Sequence, residues 1–253
     1  MTSAPLPDAI GMAGWLRIAA RIAAMIALLI VCIPLYYAAS ALRRTNPWPR
    51  WFLGGIARIA GVRTAHDGEP RRQGAVLLVN HVSWIDIPAL AGATGCAFVA
   101  HDGLAGVPLL RWLCEMNDTV FVARHDRRSV AAQVAQVREA LRETGALAIF
   151  PEGTTSEGTG VLPFKSSLLS AIDPPPGGIA IQPVVLDYGA EAAQVAWVGD
   201  EHGLANFLRI LARRAPVKLT VRFHPPLEGE AICGRKAMAA AAQAAIAAGL
   251  RGV

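Results

Sequence analysis

His81 and Asp86 are the two residues whose types and spacing most directly indicate chemistry. A carboxylate beside an imidazole fixes which ring nitrogen carries the proton, and the other nitrogen can then take a proton from a hydroxyl. On a continuous helix, residues five apart point about 140° away from each other. We therefore expect the loop of His81 to fold back over the first turn of a helix that begins near Asp86. Ser83 and Asp86 also have the spacing of a capping box, so we expect Ser83 to cap this helix. The alternative is that Asp86 only caps the helix and His81 is an ordinary loop histidine.

A second group of polar residues follows a second apolar run. The runs Ala75–Val79 and Ala146–Phe150 are typical of buried strands, and the second ends at residues 151–156, Pro-Glu-Gly-Thr-Thr-Ser. In α/β proteins, ligands bind outside the carboxyl ends of parallel strands. We therefore expect the loop after each run to border one crevice.

The elements that must position these loops alternate between strand and helix. The composition, 53% hydrophobic and 17% charged, excludes a disordered chain. The pattern predicts an α/β fold, with a mixed, largely parallel sheet flanked by helices. The predicted strands are 75–79, 97–100, 119–123, 146–150, 179–186 and 217–223, and the predicted helices are 86–93, 108–115, 127–142, 163–172, 204–214 and 236–250. Helix 204–214 has an apolar stripe beside arginines, so it packs either on a membrane surface or in the core.

An apolar segment precedes this pattern. Ile22–Leu42 contains no charged residue and is long enough to cross a hydrocarbon layer of about 30 Å. Alternatively, it forms a bent pair with residues 11–20 that is immersed in one leaflet, or it belongs to a cleaved signal peptide. Tryptophan, proline and arginine in segment 46–51 are typical of a membrane interface. We therefore predict a membrane anchor and interfacial segment at 1–50 and an α/β domain at 51–253.

Four stretches carry a resemblance to a known family. Asn80-His81 with Asp86, and Phe150-Pro151-Glu152-Gly153-Thr154, resemble motifs of the acyltransferase family of glycerolipid synthesis. Residues 120–124, Val-Phe-Val-Ala-Arg, and 181–185, Ile-Gln-Pro-Val-Val, resemble two further blocks of that family, in the same order. The resemblance implies direct transfer of a fatty acyl group from a thioester, on acyl carrier protein or coenzyme A, to the hydroxyl of a lysolipid.

The resemblance also implies roles for individual residues. His81 would be the general base and Asp86 its orienter, and no covalent enzyme nucleophile is needed because a thioester is already activated. Asn80 would stabilise either the loop or the developing oxyanion. The implied acceptor site comprises Arg124 as the phosphate ligand together with Glu152, Gly153, Thr154 and Thr155. No bound cofactor or metal is implied, and the four cysteines lack the spacing of a metal site.

Two departures from the family pattern bear on the acceptor. His101 stands where phosphatidate-forming members commonly carry lysine, and Thr155 stands where they carry arginine. The first expectation for the acceptor is 1-acyl-glycerol-3-phosphate, which would give phosphatidic acid, and the alternative is lyso-ornithine lipid or another lysolipid. A phosphate monoester carries close to two negative charges, so the loss of two cations weakens the case for it.

The net charge of +5 raises one hypothesis of another class, a basic, membrane-anchored binding protein. Its basic residues are spread along the chain rather than blocked, which argues against a nucleic-acid partner. The sequence therefore favours an enzyme at the cytoplasmic face of the inner membrane, with membrane lipid and an acyl thioester as its partners.

Overall fold

The computed structural model of the protein describes residues 10–42, 46–101, 108–122, 130–175 and 177–252. Its helices are α1 (Met12–Ala41), α2 (Trp48–Ala60), α3 (Asp86–Thr94), α4 (Pro108–Met116), α5 (Val130–Thr144), α6 (Ala192–Val195), α7 (Gly203–Ala212) and α8 (Arg235–Arg251). Its strands are β1 (Val62–Asp67), β2 (Ala75–Val79), β3 (Ala97–His101), β4 (Val120–Val122), β5 (Ala146–Ile149), β6 (Ala180–Asp187) and β7 (Val217–Phe223). Short 3₁₀ helices lie at Ser166–Ile172, Gly189–Glu191 and Gly229–Ile232.

The strands form one sheet in the order β1-β7-β6-β2-β5-β3-β4. Neighbouring strands are parallel except for β6 and β7, which are antiparallel. The central strand β2 pairs with β5 on one side and with β6 on the other. The carboxyl ends of these three strands therefore meet at one edge, and the predicted mixed, largely parallel α/β sheet is confirmed.

Strand β2 separates two apolar cores. Leu77 and Val79 belong to the core that includes residues of α2, α3 and α7, whereas Val76 and Leu78 belong to the core that includes residues of α5 and α8. Successive residues of a strand point to opposite faces. All five residues of β2 are fully buried, as expected for a parallel strand that is covered on both faces.

Helix α1 is one continuous helix of 30 residues that includes Pro34. It begins at Met12, well before the predicted start at Ile22, so the two segments considered as a bent pair form a single helix. By length and composition it is apolar enough to cross a membrane, and among the described residues it is the one helix of this kind.

Helix α1 is also joined to the rest of the protein. It packs against α2 and α7, and Arg17 and Arg21 donate hydrogen bonds to the carbonyls of Ala212 and Leu211 at distances of 2.8 and 2.9 Å. These carbonyls end α7 and have no partner within that helix. The guanidinium groups therefore satisfy them and complement the negative end of the helix dipole.

Helix α2 contains the predicted domain boundary between residues 50 and 51. It packs against α3 so closely that a Cβ atom on Gly92 would lie 2.6 Å from the Cα atom of Gly54. Only glycine permits such an approach of two backbones. The segment expected to lie at an interface thus begins a helix that is packed onto the sheet domain.

Three further differences from the sequence predictions have physical reasons. Strand β1 was not predicted, because only Val62 of its residues is buried, and β1 is defined by its backbone pairing with β7. The helix predicted at 163–172 is a 3₁₀ helix that begins at Ser166. In α7, Leu208 and Leu211 are buried in the core, whereas Leu204 of the same apolar stripe is 54% exposed.

Candidate active site

The predicted crevice lies where β2, β5 and β6 end. The loop after β2 carries His81, the loop after β5 carries Glu152 and Gly153, and Tyr188 directly follows β6. The third strand end was not predicted to contribute. Its contribution follows from the sheet order, in which β6 lies directly beside β2 on the side opposite to β5.

The carboxylate of Asp86 lies beneath the loop of His81. Its Oδ2 atom lies 2.7 Å from His81 Nδ1 and accepts hydrogen bonds from the backbone N–H groups of Val82 and Ser83, at 2.6 and 2.9 Å. The loop therefore folds back over the start of α3, as the spacing required. Because an ionised carboxylate only accepts hydrogen bonds, the neutral imidazole in this contact carries its proton on Nδ1 and has its free lone pair on Nε2.

Tyr188 completes the surroundings of Asp86. Its hydroxyl donates to Asp86 Oδ1 at 2.5 Å, and both side chains are almost fully buried. Burial raises the pKa of Tyr188 well above its ordinary value, and the neighbouring charge of Asp86 raises it further. The phenol therefore stays protonated and remains a donor throughout the neutral pH range. No sequence motif marks this residue.

The imidazole of His81 stacks on the ring of Phe150 and is partly exposed to solvent. It stacks on Phe150, with the ring centroids 4.2 Å apart and the ring planes at 19° to each other. The side chain is 19% exposed, whereas that of Asp86 is fully buried. One nitrogen of the ring is thus bound to the protein interior, and part of the ring is open to a ligand.

Glu152 supports the loop of His81 from inside the protein. Its Oε1 atom accepts from the backbone N–H of His81 at 2.8 Å, and its Oε2 atom accepts from the N–H of Leu162 at 3.0 Å. Burial raises the pKa of Glu152, and the two backbone hydrogen bonds oppose that shift. The carboxylate is 1% exposed. Its contacts therefore favour a role in holding two loops together rather than the expected contact with the acceptor.

Asn80 also binds backbone groups of a neighbouring segment. Its amide donates to the carbonyl of Leu186 and accepts from the N–H of Leu186, at 3.1 and 2.8 Å, and the residue is fully buried. These bonds connect the end of β2 to β6. Of the two roles that the sequence left open, the contacts favour stabilisation of the loop over that of an oxyanion.

A cavity of about 400 Å³ opens beside His81. Its wall is formed by His81, Gly153, Thr154, Thr155, Trp197, Val198, Gly199 and Glu201. The predicted residues 153–155 are therefore brought together with His81. The segment 197–201 was missed because it carries no motif and follows a short helix in a region without strong periodicity.

Thr155 connects the two sides of this wall. Its hydroxyl donates to the carbonyl of Trp197 in a short hydrogen bond, and the N–H of Trp197 donates to the carbonyl of Val82 at 2.9 Å. The segment that begins at Trp197 is thus attached both to the Glu-Gly-Thr-Thr loop and to the loop of His81.

Glu201 brings a carboxylate to the wall, where it forms an ion pair with Arg209. Burial alone favours its neutral form, but hydrogen bonds from Arg209 and Asn206 lower its pKa below the ordinary value. Asn206 is fully buried and also accepts from the hydroxyl of Ser83 at 3.1 Å. Ser83 was predicted to cap α3 with its side chain, and its hydroxyl instead joins the His81 loop to α7.

Two further expectations concern the phosphate ligand and metal binding. Arg124, the predicted phosphate ligand, lies outside the described residues. In the part of the chain that the structure describes, no three His, Cys, Asp or Glu side chains are grouped as metal ligands.

Comparison with known proteins identifies relatives over nearly the whole chain. The Acyltransferase family model matches residues 62–187. The lyso-ornithine lipid O-acyltransferase of Rhodobacter capsulatus is 31% identical over 94% of this chain and 92% of its own length, and that of Brucella abortus is 32% identical over 90% and 91%. The 1-acyl-sn-glycerol-3-phosphate acyltransferase of Neisseria meningitidis is 33% identical over 64% of this chain and 63% of its own length.

A solved structure resembles the whole fold. The 1-acyl-sn-glycerophosphate acyltransferase of Thermotoga maritima superposes with a TM-score of 0.61 at 19% identity, and the match covers 93% of this chain and 97% of that one. Residues 62–187, which the family model matches, span β1 to β6 and include all three strand ends of the crevice.

The relative from Rhodobacter capsulatus and the family model agree on the same family. The chain therefore belongs to the glycerolipid acyltransferase family and is an acyltransferase.

Proposed function

We propose that the protein transfers a fatty acyl group from a thioester to the hydroxyl of a lysolipid, with His81 as the general base. The observation that carries this proposal is the contact between His81 and the buried Asp86 at the wall of an open cavity. The contact leaves Nε2 without a proton, and the partial exposure of the ring leaves room for an acceptor hydroxyl.

The chemistry requires only these groups and the two substrates. Nε2 of His81 takes the hydroxyl proton while the hydroxyl oxygen attacks the thioester carbonyl carbon, and Asp86 stabilises the imidazolium that forms. The tetrahedral intermediate then breaks its carbon–sulfur bond, and the thiolate that leaves takes the proton from the imidazolium. The products are an ester and a free thiol. Acyl carrier protein and coenzyme A both present such a thioester, and either serves as the donor in this proposal.

For the acceptor, we place lyso-ornithine lipid before 1-acyl-glycerol-3-phosphate, which reverses the order first expected from the sequence. Thr155 is neutral and binds the carbonyl of Trp197, and the carboxylate of Glu201 in the wall is already paired with Arg209. A phosphate monoester carries close to two negative charges, and the described residues that line this wall include no lysine or arginine to bind it. The relatives from Rhodobacter and Brucella, which match nine tenths of the chain, act on lyso-ornithine lipid by name.

The phosphate acceptor remains the second candidate because of the relative from Neisseria. Arg124 keeps its proposed role as the ligand of the phosphate of this second acceptor. Gly153, Thr154 and Thr155 are proposed to contact the acceptor because they line the cavity with His81. Asn80 and Glu152 are proposed to act through the loops that they hold.

We further propose that α1 lies in one leaflet at the cytoplasmic face of the inner membrane. Its buried residues Gly14, Ile18 and Cys32 share one side of the helix, whereas Leu16 and Ile30, which are 66% and 65% exposed, lie on the other. A helix packed along one side against its own domain presents an apolar stripe parallel to the protein surface. The apolar helix and the lipid-modifying relatives both indicate a membrane-associated enzyme.

Replacing His81 tests the proposed base. His81→Ala should lower kcat for acyl transfer by roughly 10²- to 10⁴-fold, the usual contribution of general acid–base catalysis, while the protein stays folded and membrane-bound. Thiol release from acyl-coenzyme A or acyl carrier protein in the presence of lysolipid measures it. His66→Ala, at an exposed edge of the sheet, is the matched control. Turnover of the His81 variant near that of the control would rule out the mechanism.

Replacing Tyr188 tests the support of Asp86. Tyr188→Phe keeps the buried ring and removes one hydrogen bond to the carboxylate, so we expect kcat to fall about 5- to 10-fold with little change in KM. Tyr37→Phe, at an exposed position of α1, should have no such effect. Equal kcat values for the two variants would show that the hydroxyl does not position the catalytic pair.

Replacing Thr155 tests the acceptor. Thr155→Arg adds a cation to the cavity and removes the hydrogen bond to Trp197, so the ratio of kcat/KM for 1-acyl-glycerol-3-phosphate to that for lyso-ornithine lipid should rise. Thr159→Arg adds the same charge at an exposed position that does not line the cavity. A wild-type enzyme that already prefers the phosphate acceptor strongly would contradict the proposed order of acceptors.

The placement of α1 is tested by labelling its two ends. Met12→Cys and Leu42→Cys, introduced separately after replacement of the native cysteines, put a thiol at exposed positions on either end of the helix. A membrane-impermeant maleimide should label both in inside-out vesicles and neither in right-side-out vesicles. Labelling of Met12→Cys from the opposite side to Leu42→Cys would show that α1 crosses the membrane.

A further inference from the structure

Lys165 places a positive charge next to Gly153, a residue of the cavity wall, although Lys165 itself does not line the cavity. Its Nζ atom lies 3.1 Å from the position that a Cβ atom on Gly153 would occupy. Gly153 itself lines the cavity with His81 and has a φ of +66°, so its backbone approaches the ammonium group without a side chain between them. Sequence reasoning did not single out Lys165.

The backbone holds this lysine in place. The N–H of Lys165 donates to the carbonyl of Pro151 at 2.8 Å, and the N–H of the preceding Phe164 donates to the side chain of Gln243 in α8 at 3.0 Å. The lysine is therefore attached to the residue just before Glu152, whose carboxylate supports the loop of His81. The ammonium group and the proposed base are carried by loops that are connected to each other.

The structure provides no carboxylate for this charge among the described residues. Both oxygens of the nearby Glu152 accept from backbone N–H groups, and the carboxylate of Glu201 is bound by Arg209 and Asn206. In the described ranges Lys165 enters no ion pair or side-chain hydrogen bond and is exposed. An exposed ammonium group without a carboxylate partner, next to one residue of the cavity wall, is available to an acidic group of a ligand that extends past Gly153.

We propose that Lys165 binds the acidic group of the acceptor lipid, an inference that rests on the proposed function. Ornithine is an amino acid, so a lyso-ornithine lipid carries a carboxylate, and 1-acyl-glycerol-3-phosphate carries a phosphate. In both lipids the acidic group lies only a few bonds from the hydroxyl that must reach His81. The phosphate of the pantetheine arm, by contrast, lies at the far end of that arm from the thioester. These distances along the two substrates favour the acceptor, rather than the donor, as the molecule whose acidic group binds Lys165.

The test compares acceptors that differ in one charge. With lyso-ornithine lipid, Lys165→Gln should raise KM about 10- to 100-fold and leave kcat nearly unchanged, the effect of losing a charge-assisted contact to bound substrate. Lys165→Arg should restore most of the loss. With the methyl ester of the same lipid, which has no carboxylate, wild type and Lys165→Gln should have the same KM. Lys236→Gln, which removes an exposed lysine of α8, is the charge-matched control.

The donor is varied in a second arm. Replacing acyl-coenzyme A with an acyl-pantetheine that has no phosphate should leave the effect of Lys165→Gln unchanged. If the effect disappears with this donor and persists with the methyl ester, Lys165 binds the donor phosphate and the assignment to the acceptor is overturned. If Lys165→Gln matches Lys236→Gln with every substrate, Lys165 binds no acidic group of either substrate.

Binding without turnover separates this inference from the proposed function. Equilibrium binding of the lipid and of its methyl ester is measured with the full-length His81→Ala protein in micelles, without donor. Introducing Lys165→Gln into this His81→Ala protein should weaken binding of the lipid that has a free carboxylate and leave binding of its methyl ester unchanged. If the wild-type enzyme transfers an acyl group to no lysolipid, the proposed function is refuted. If Lys165→Gln leaves binding of the lipid with a free carboxylate unchanged, the role of Lys165 is refuted.

Discussion

The hydrogen bond between His81 and Asp86 is the interaction on which the site depends, and it constrains everything around it. A carboxylate without solvent exposure is stable as an ion only if donors replace the lost water. Asp86 has donors from the His81 ring, from two backbone N–H groups of the same loop and from Tyr188. Three of these donors come from the loop itself, so the loop conformation and the charge of Asp86 stabilise each other.

The order of the strands supplies the remaining support. Because β2 lies between β5 and β6, the residues that follow all three strands lie close enough for side chains to connect them. Asn80 connects the end of β2 to Leu186, and Glu152 connects the loop after β5 to His81. Polar residues in these loops therefore bind backbone atoms of neighbouring loops, which is how short irregular segments satisfy buried polar groups. The rigid part of the site is this set of connections.

The sequence predicted the sheet and the contact between His81 and Asp86 because both leave local patterns. The buried strands β2 and β5 are short apolar runs, and the spacing of His81 and Asp86 limits the loop conformation. β1 left no such pattern because its side chains are mostly exposed. The roles of Glu152, Asn80 and Ser83 were not predictable, because residue type and spacing do not determine whether a side chain turns toward the ligand or toward the protein. Tyr188, Trp197 and Asn206 required knowledge of which distant segments meet.

In the proposed mechanism, selectivity for the acceptor follows from charges outside the pair of His81 and Asp86. The proposed base acts on a hydroxyl, which every lysolipid acceptor has, so this pair does not distinguish one acceptor from another. The neutral Thr155 and the Glu201 carboxylate, which is paired with Arg209, offer no free cation to a doubly charged group, whereas Lys165 beside Gly153 offers one positive charge. A head group with one acidic group therefore suits this wall better than a phosphate that carries close to two negative charges. On these proposals, the reaction is set by the pair of His81 and Asp86, and the acceptor is set by the charges around it.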